Sequence, residues 1–465
     1  MTPAEPFERN ACLTREDLTA PIVGSTLIAL VWLTVLGLIG PVGYWAPMGL
    51  LLGGGSAWVV FSAMRGCCWA LAGLLGFSLV VPNIDFMPQG LNEAASLNAQ
   101  TGLKLALWAS MGLVGMARLP QLQPLLRDRA ILSIGMFALI AIASTLWSPT
   151  PVYSAAGSIG FLTALLFACA VAAELPEDRL YRTVVGSFVI YVALNMVAAI
   201  ALPDIAWLPN YGDSGSSRLQ GVSSHPNILG KEMATFICLC LPLALVRGQR
   251  RAAFFLTSLA FLIIVATQSR TSMGATLLCL SLPFLLRPEV AKRLTALVLV
   301  VAGLALLAIA MGFVPDLRSI LDGASRTSDA SEILTLTGRT ELWGFVWDKI
   351  LEVPLLGHGF GSAEAVLSLQ WWGAPDADVG AHNTWLQSLL IVGALGTIPF
   401  IWFHMELLLR LRAERPSMTR FLSSYLLILG LTEVEIAAHP VMLTIATFLL
   451  VALDARRMLV DAEHA

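Results

Sequence analysis

Charge is what this chain has least of. Only 13% of its 465 residues are Asp, Glu, Lys or Arg, while 57% are hydrophobic and the mean hydropathy is +0.77. Soluble domains carry about a quarter charged residues, so this composition excludes a water-soluble globular protein and points to the membrane. There is no basic excess either. The net charge is -3, so no nucleic-acid partner is expected. The seven cysteines, Cys12, Cys67, Cys68, Cys169, Cys238, Cys240 and Cys279, lie in or beside apolar runs. No disulfide framework and no Cys/His metal centre is expected from them. Residues 1–19 lack the basic n-region of a signal peptide, since Glu5, Glu8, Glu16 and Asp17 stand among Arg9 and Arg15. No small-x-small cleavage site follows, so the first apolar run, Ala20 to Gly40, is read as a retained helix. Internal repeats, low-complexity tracts and soluble domains are missing, and residues 1–465 read as a single integral membrane domain.

What the chain has in abundance is apolar length. Runs of spanning or near-spanning length cover residues 20–40, 44–62, 66–82, 103–117, 130–147, 154–173, 180–202, 228–246, 252–266, 272–286, 290–312, 383–409, 421–437 and 440–455. A helix needs ~20 residues to cross a bilayer. The pairs 252–266/272–286 and 421–437/440–455 are short enough for each to count as one span or two. The prediction is an all-α polytopic membrane protein with twelve to fourteen transmembrane helices, and either even count puts both termini on one side. Most of the 28 lysines and arginines fall in alternate connecting segments, including 247–251, 287–293, 410–420 and 456–457. Basic connecting segments stay in the cytoplasm, so both termini are expected there, with the protein in a bacterial inner membrane. The sizeable loops 83–102, 203–227 and 313–382 then face the periplasm.

The long loop 313–382 carries its own pattern. Residues 339–353 are predicted as an amphipathic helix with Leu342, Phe345, Val346 and Ile350 on one face and Glu341, Asp348, Lys349 and Glu352 on the other. Thr337 fits its N-cap and Pro354 its stop, while Trp343 and Trp347 suit the membrane interface. The run Gly357-His358-Gly359-Phe360-Gly361 reads as a turn. As a phosphate loop it lacks both a preceding strand and a following Lys-Ser/Thr.

Basic residues on the outer side run against the charge rule and so need a reason. They are Arg218 in SSRLQGVSSHPNILGK, Lys231 at the end of that stretch, Arg270 in ATQSRTS, and Arg339 in LTGRTELW. Arg270 sits in a very short hairpin, where a charge costs ~2.5–3.5 kcal/mol at full membrane depth. A guanidinium fork matches a pair of phosphate oxygens. The plainer alternative is snorkelling to lipid headgroups, or pairing with a loop acid such as Asp213 or Glu341. His382, in Ala381-His382-Asn383-Thr384, is either a general base for a hydroxyl or a helix cap. His225 orders the turn before Pro226-Asn227, and His358 is a candidate substrate contact. Glu433 and Glu435 either assist the base or pair with a lysine or arginine. Trp371 and Trp372 either stack on sugar rings or anchor at the interface.

In this order and spacing, SRLQGVSSHPNILG, TQSRTS, LTGRTELW, VPLLGHGFG and AHNTWLQSLLIVGALG resemble the O-antigen ligase/polymerase superfamily. It includes O-antigen ligases of the WaaL type, Wzy polymerases and exopolysaccharide polymerases of the ExoQ type. The likeness spans roughly residues 140–400 and is strongest over 252–400. LWSPTP at 146–151 and the SHPNILG turn look closest to the ExoQ-like branch, which often has Lys where this chain has Pro226. The resemblance implies a GT-C-like, inverting membrane glycosyltransferase that needs neither metal nor cofactor. Its donor would be an undecaprenyl-pyrophosphate-linked glycan. Arg218, Arg270 and Arg339 would bind the pyrophosphate, and His382 would be catalytic. His358, Trp371 and Trp372 are candidate glycan contacts. The acceptor would be a lipid-linked repeat for a polymerase, the reading favoured here, or lipid A-core for a ligase. A transporter would instead need charge at mid-bilayer, for which Glu406 is the best candidate.

Overall fold

A computed structural model of the chain describes residues 45–85, 99–209, 217–241, 249–285, 292–294, 297, 339–367, 380–410, 418–431, 433–434 and 436–464. It is an all-α polytopic membrane protein. The long helices are α1 (Trp45–Met64), α2 (Cys68–Val80), α3 (Ala99–Ala117), α4 (Leu119–Leu126), α5 (Arg129–Ala143), α6 (Pro151–Glu174) and α7 (Glu177–Ala201). They continue with α8 (Pro226–Cys240), α9 (Arg250–Thr267), α10 (Arg270–Leu285), α11 (Arg339–Glu352), α12 (Thr384–Arg410), α13 (Met418–Leu429) and α14 (Met442–His464). Every apolar run named above overlaps one of these helices, except 20–40 and most of 290–312, which lie outside the described residues. Among the described residues five helices are long and apolar enough to cross a membrane: Arg129–Leu146, Pro151–Glu174, Glu177–Ala201, Arg250–Thr267 and Thr384–Arg410. Gly54–Met64 and Cys68–Asn83 pass the same test together, bent by 117°.

Local chemistry sets the helix ends. Asp128 caps α5 by accepting from the Ala130 and Ile131 amides. Pro151 opens α6 at a position where its missing N–H costs nothing. Glu177 and Asp178 sit in the first turn of α7, where the helix dipole favours acids. Where α3 crosses α6, Gly112 faces Thr163 and Gly115 faces the Leu166 backbone. Small residues of this kind let membrane helices approach closely. Phe137, Phe161, Phe360, Phe400 and Phe448 form an aromatic core with ring centroids 4.9–6.2 Å apart.

The two ends of the bundle differ chemically. At one end the arginines are matched. Arg118 meets Glu174 at 3.3 Å, Arg410 meets Asp128 at 2.6 Å and Arg457 meets Glu177 at 2.8 Å. Arg456 donates to the Ala172 and Leu175 carbonyls that end α6. At the other end the helices are interrupted. Gln268 and His382 adopt left-handed backbone, α12 breaks at Gly393, and α13 stops at Leu429, inside the apolar run 421–437.

The Gly-rich turn belongs to this interrupted end and is a packing element. His358 N–H donates to the Leu390 carbonyl and Gly359 N–H to that of Ile391. Ala394 and Leu395 amides donate back to the Pro354 and Leu355 carbonyls. The loop thus takes up hydrogen bonds freed by the break in α12, as buried irregular backbone must. Gly393 (φ 61°, ψ -169°) has the Leu355 backbone where a side chain would stand. Phe360 N–H donates to Ser144 Oγ, and Trp147 Nε1–H to the Gly357 carbonyl. With three of its amides engaged this way, the turn offers no phosphate cradle.

Candidate active site

The loop 203–227 contains a two-stranded antiparallel hairpin, β1 (Trp207–Pro209) with β2 (Ser217–Leu219). Its register pairs Leu208 with Arg218. The hairpin fixes Arg218 with the residue only 7% exposed. Its Nε–H donates to the Thr267 carbonyl at 3.0 Å, and Nη2–H to Asn227 Oδ1 at 2.7 Å. One guanidinium thereby ties the loop to the end of α9 and the start of α8. The turn between them is held by Asn195, whose Oδ1 accepts from the Val222 amide.

His225 caps α8, its Nδ1 accepting from the Asn227 amide at 3.1 Å. Burial, and then the neighbouring Arg218, push its pKa down to about 4. Lys231 and His382 act in the same direction and Glu433 opposes them. His225 therefore stands among the charged groups of the site as a neutral ring.

Arg270 is the first residue of α10 and half-buried. Its neighbours are engaged: Ser269 Oγ meets Ser272 Oγ at 3.0 Å, and Thr271 Oγ1 donates to Glu433 Oε1 at 3.2 Å. Glu433, 3% exposed, is the hub. Its Oε2 lies 3.5 Å from His382 Nδ1 and 3.9 Å from Lys231 Nζ. Lys231 also donates to the Val434 carbonyl at 3.1 Å. Glu433 thus touches both His382 and Lys231, the partners that its two candidate roles require. Glu435 lies outside the described residues.

His382 is held from its flanks. Asn383, not His382, caps α12, its Oδ1 accepting from the Trp385 and Leu386 amides. Asn383 Nδ2 and the Thr384 amide donate to the Leu431 and Gly430 carbonyls of the unwound stretch after α13. On the other flank Trp343 Nε1–H donates to the Ala381 carbonyl, and the Ala381 amide to Gln387 Oε1. The left-handed backbone at His382 (φ 45°) is thus over-determined, as strained residues must be. Trp343, expected at the membrane interface, braces Ala381 beside the histidine from α11.

Arg218, Arg270 and His382 thus come to one place at the interrupted end, with Arg270 there by its backbone and neighbours. Arg339 opens α11, but its side chain lies outside the described residues, as do Thr337, Asp213, Trp371 and Trp372. His358 stands elsewhere, its Nε2 2.9 Å from the Lys349 carbonyl, pinning the Gly-rich turn to α11. Glu406 accepts from Trp402 Nε1 one turn earlier on α12. Lys231 and Glu433 gain a place in the site that sequence alone left open.

No curated protein matches the chain. Residues 252–401 match the family model described as O-antigen ligase. That region supplies Thr267, Arg270, Thr271 and His382, whereas Arg218, His225, Lys231 and Glu433 come from outside it. The match covers about a third of the chain, and it supports the O-antigen ligase/polymerase superfamily and a role in surface-polysaccharide biosynthesis.

Proposed function

We propose that the protein transfers a glycan from a lipid pyrophosphate, of the undecaprenyl type, to a sugar hydroxyl at the non-cytoplasmic face of the inner membrane. The observation that carries this reading is the His382–Glu433 pair set beside Arg218, Lys231 and the Arg270 corner. A base with an acid behind it, next to clustered cations, suits a reaction that frees a proton and an anionic leaving group together.

The acceptor oxygen attacks the anomeric carbon as the bond from that carbon to the phosphate oxygen breaks. The hydroxyl proton passes to His382 Nε2, since Nδ1 faces Glu433. The 3.5 Å contact is long, as such contacts often are without substrate. Glu433 stabilises the imidazolium, and the cations stabilise the charge that collects on the departing pyrophosphate. One displacement inverts the anomeric carbon. Arg339, at the head of α11, is proposed as a further pyrophosphate ligand, and Trp371 and Trp372 as glycan contacts.

The matched arginines at the opposite end support the orientation, because basic ends stay in the cytoplasm. Both termini would then be cytoplasmic and the loop 313–382 periplasmic. Between the two acceptors, the ExoQ-like flavour of LWSPTP and SHPNILG favours an exopolysaccharide or O-antigen polymerase over a ligase. The test is reconstituted protein given lipid-pyrophosphate glycan with either a second lipid-linked repeat or lipid A-core. Release of polyprenyl pyrophosphate with the first acceptor is expected. Release only with lipid A-core would make it a ligase, and Arg270→Ala or His382→Ala variants retaining full turnover would sink the mechanism.

A further inference from the structure

We propose that His225 is a substrate-contacting residue of this site, donating a neutral Nε2–H hydrogen bond to the pyrophosphate of the lipid-linked donor. The proposal rests on the glycosyl-transfer reading above and assigns a role that neither the family match nor the sequence pattern gives to this residue.

The argument begins with the tautomer. Nδ1 accepts the Asn227 N–H at 3.1 Å, so the lone pair of the ring is there and the proton of the neutral ring is on Nε2. Among the described residues no protein group is within hydrogen-bond reach of Nε2, and the ring is only half-buried. An N–H donor so placed has an unused bond to give.

The surroundings say what would take it. Arg218 reaches the same Asn227 that His225 holds, by its side-chain oxygen. Lys231 lies farther along α8, and it and His382 approach the same oxygen, Oε2, of the Glu433 carboxylate. All four charged or titratable groups act on the His225 ring. Arg218 and Lys231 both act on the ring as cations, and on the glycosyl-transfer reading the ligand that completes the site is the anionic pyrophosphate. Burial and Arg218 keep His225 uncharged, so it adds a hydrogen bond without adding to cation–cation repulsion. It is also a poor base, which leaves proton removal to His382. The site would then hold two histidines with separate tasks, set apart by whether a cation or a carboxylate is the nearer neighbour.

The experiment measures binding of undecaprenyl pyrophosphate to the full-length protein in nanodiscs, with undecaprenol as the uncharged control. His225→Gln keeps both an acceptor for Asn227 and a long neutral donor, and should bind within a few-fold of wild type. His225→Ser keeps the helix cap but cannot reach the ligand, and should bind the pyrophosphate about 10- to 100-fold more weakly. Undecaprenol binding should be the same in all three. Pyrophosphate binding by the Ser variant equal to wild type would overturn the proposal and leave His225 as a cap. If the Ser variant melts lower, the comparison is made against His225→Asn, which caps as well and has a shorter reach; equal binding by the Asn and Gln variants overturns the proposal too. Should wild type itself bind pyrophosphate no tighter than undecaprenol, and Arg270→Ala change nothing, the broader reading of the site fails and this one with it. With that preference intact and Arg270→Ala impaired, only the His225 assignment is at stake.

Discussion

Glu433→Gln is the most informative single change, because it removes one charge and little else. Glutamine keeps an acceptor for the Thr271 hydroxyl and nearly the same volume in a site where the carboxylate is 3% exposed. Lys231 retains its bond to the Val434 carbonyl. What is lost is the attraction between Glu433 and the imidazolium formed when His382 takes the proton. At 3.5 Å and an effective dielectric near 20, that attraction is ~5 kcal/mol before solvent screening. The His382 side chain is 35% exposed, so less than half of it should survive. A loss of about 1.5–2.5 kcal/mol corresponds to a roughly 10- to 70-fold fall in turnover. The assay is polyprenyl pyrophosphate release from saturating donor by reconstituted protein, with the donor KM followed alongside. The fall should appear in kcat, since the imidazolium exists only along the reaction. It should also shrink when the residual rate of His382→Ala is the background, because the partner is then gone. Full turnover in the single variant would refute the reasoning. So would an undiminished loss in the His382→Ala background, which would mean that Glu433 acts on the fold or through Lys231.

The remaining expectations concern the frame around this pair. His225, with a folded-state pKa of about 4 against an ordinary 6.5, stabilises the fold fully above pH 6.5. That contribution is lost as pH falls towards 4, by about 2 kcal/mol between pH 7 and pH 5. Thermal melts in detergent should show acid destabilisation that His225→Gln blunts. Gly393→Ala places a methyl on the Leu355 backbone at a φ/ψ reserved for glycine, and should cost at least ~3 kcal/mol, visible as a lower melting temperature. Trp343→Phe removes the N–H that braces Ala381 while filling most of the same volume. Turnover should drop about 5- to 10-fold, for roughly 1 kcal/mol of lost positioning, without a matching loss of stability. Arg218→Lys keeps the charge but cannot hold Thr267 and Asn227 together; pyrophosphate binding should weaken even though the net charge is unchanged.

The helices were legible in the sequence because a membrane demands long apolar runs, and those runs carry their own boundaries. α11 was legible too: Leu342, Val346 and Ile350 are its buried face and Glu341 and Asp348 its exposed one. Arg218 and Arg270 stood out because the charge pattern assigns them to segments where basic residues are rare, and His382 because it stands where a loop meets an apolar run. The linkages were not legible. Nothing local in SSRL announces that Arg218 reaches the carbonyl of Thr267, 49 residues on, because that bond depends on how the hairpin packs against α9. Trp343 fits a lipid interface as well as it fits a bond to Ala381, since an indole is suited to both. Glu433 was a candidate for either role, but the backbone around it was not legible. It lies within an apolar run that reads as continuous helix through 437, yet the helix ends at Leu429.

That early ending has a physical logic which joins fold to chemistry. Non-helical backbone at membrane depth is tolerated only where protein or water satisfies its polar groups. Here the carbonyls of Gly430, Leu431 and Val434 are satisfied by Thr384, Asn383 and Lys231, the first two flanking His382 and the third reaching Glu433. The same groups that close the unwound stretch therefore set the distance between base and carboxylate. A change that let α13 run on as helix would free those donors and carry Glu433 away from His382 in one step. Activity at this site should accordingly be lost together with the bonds to Gly430, Leu431 and Val434, and not by graded weakening of a single contact.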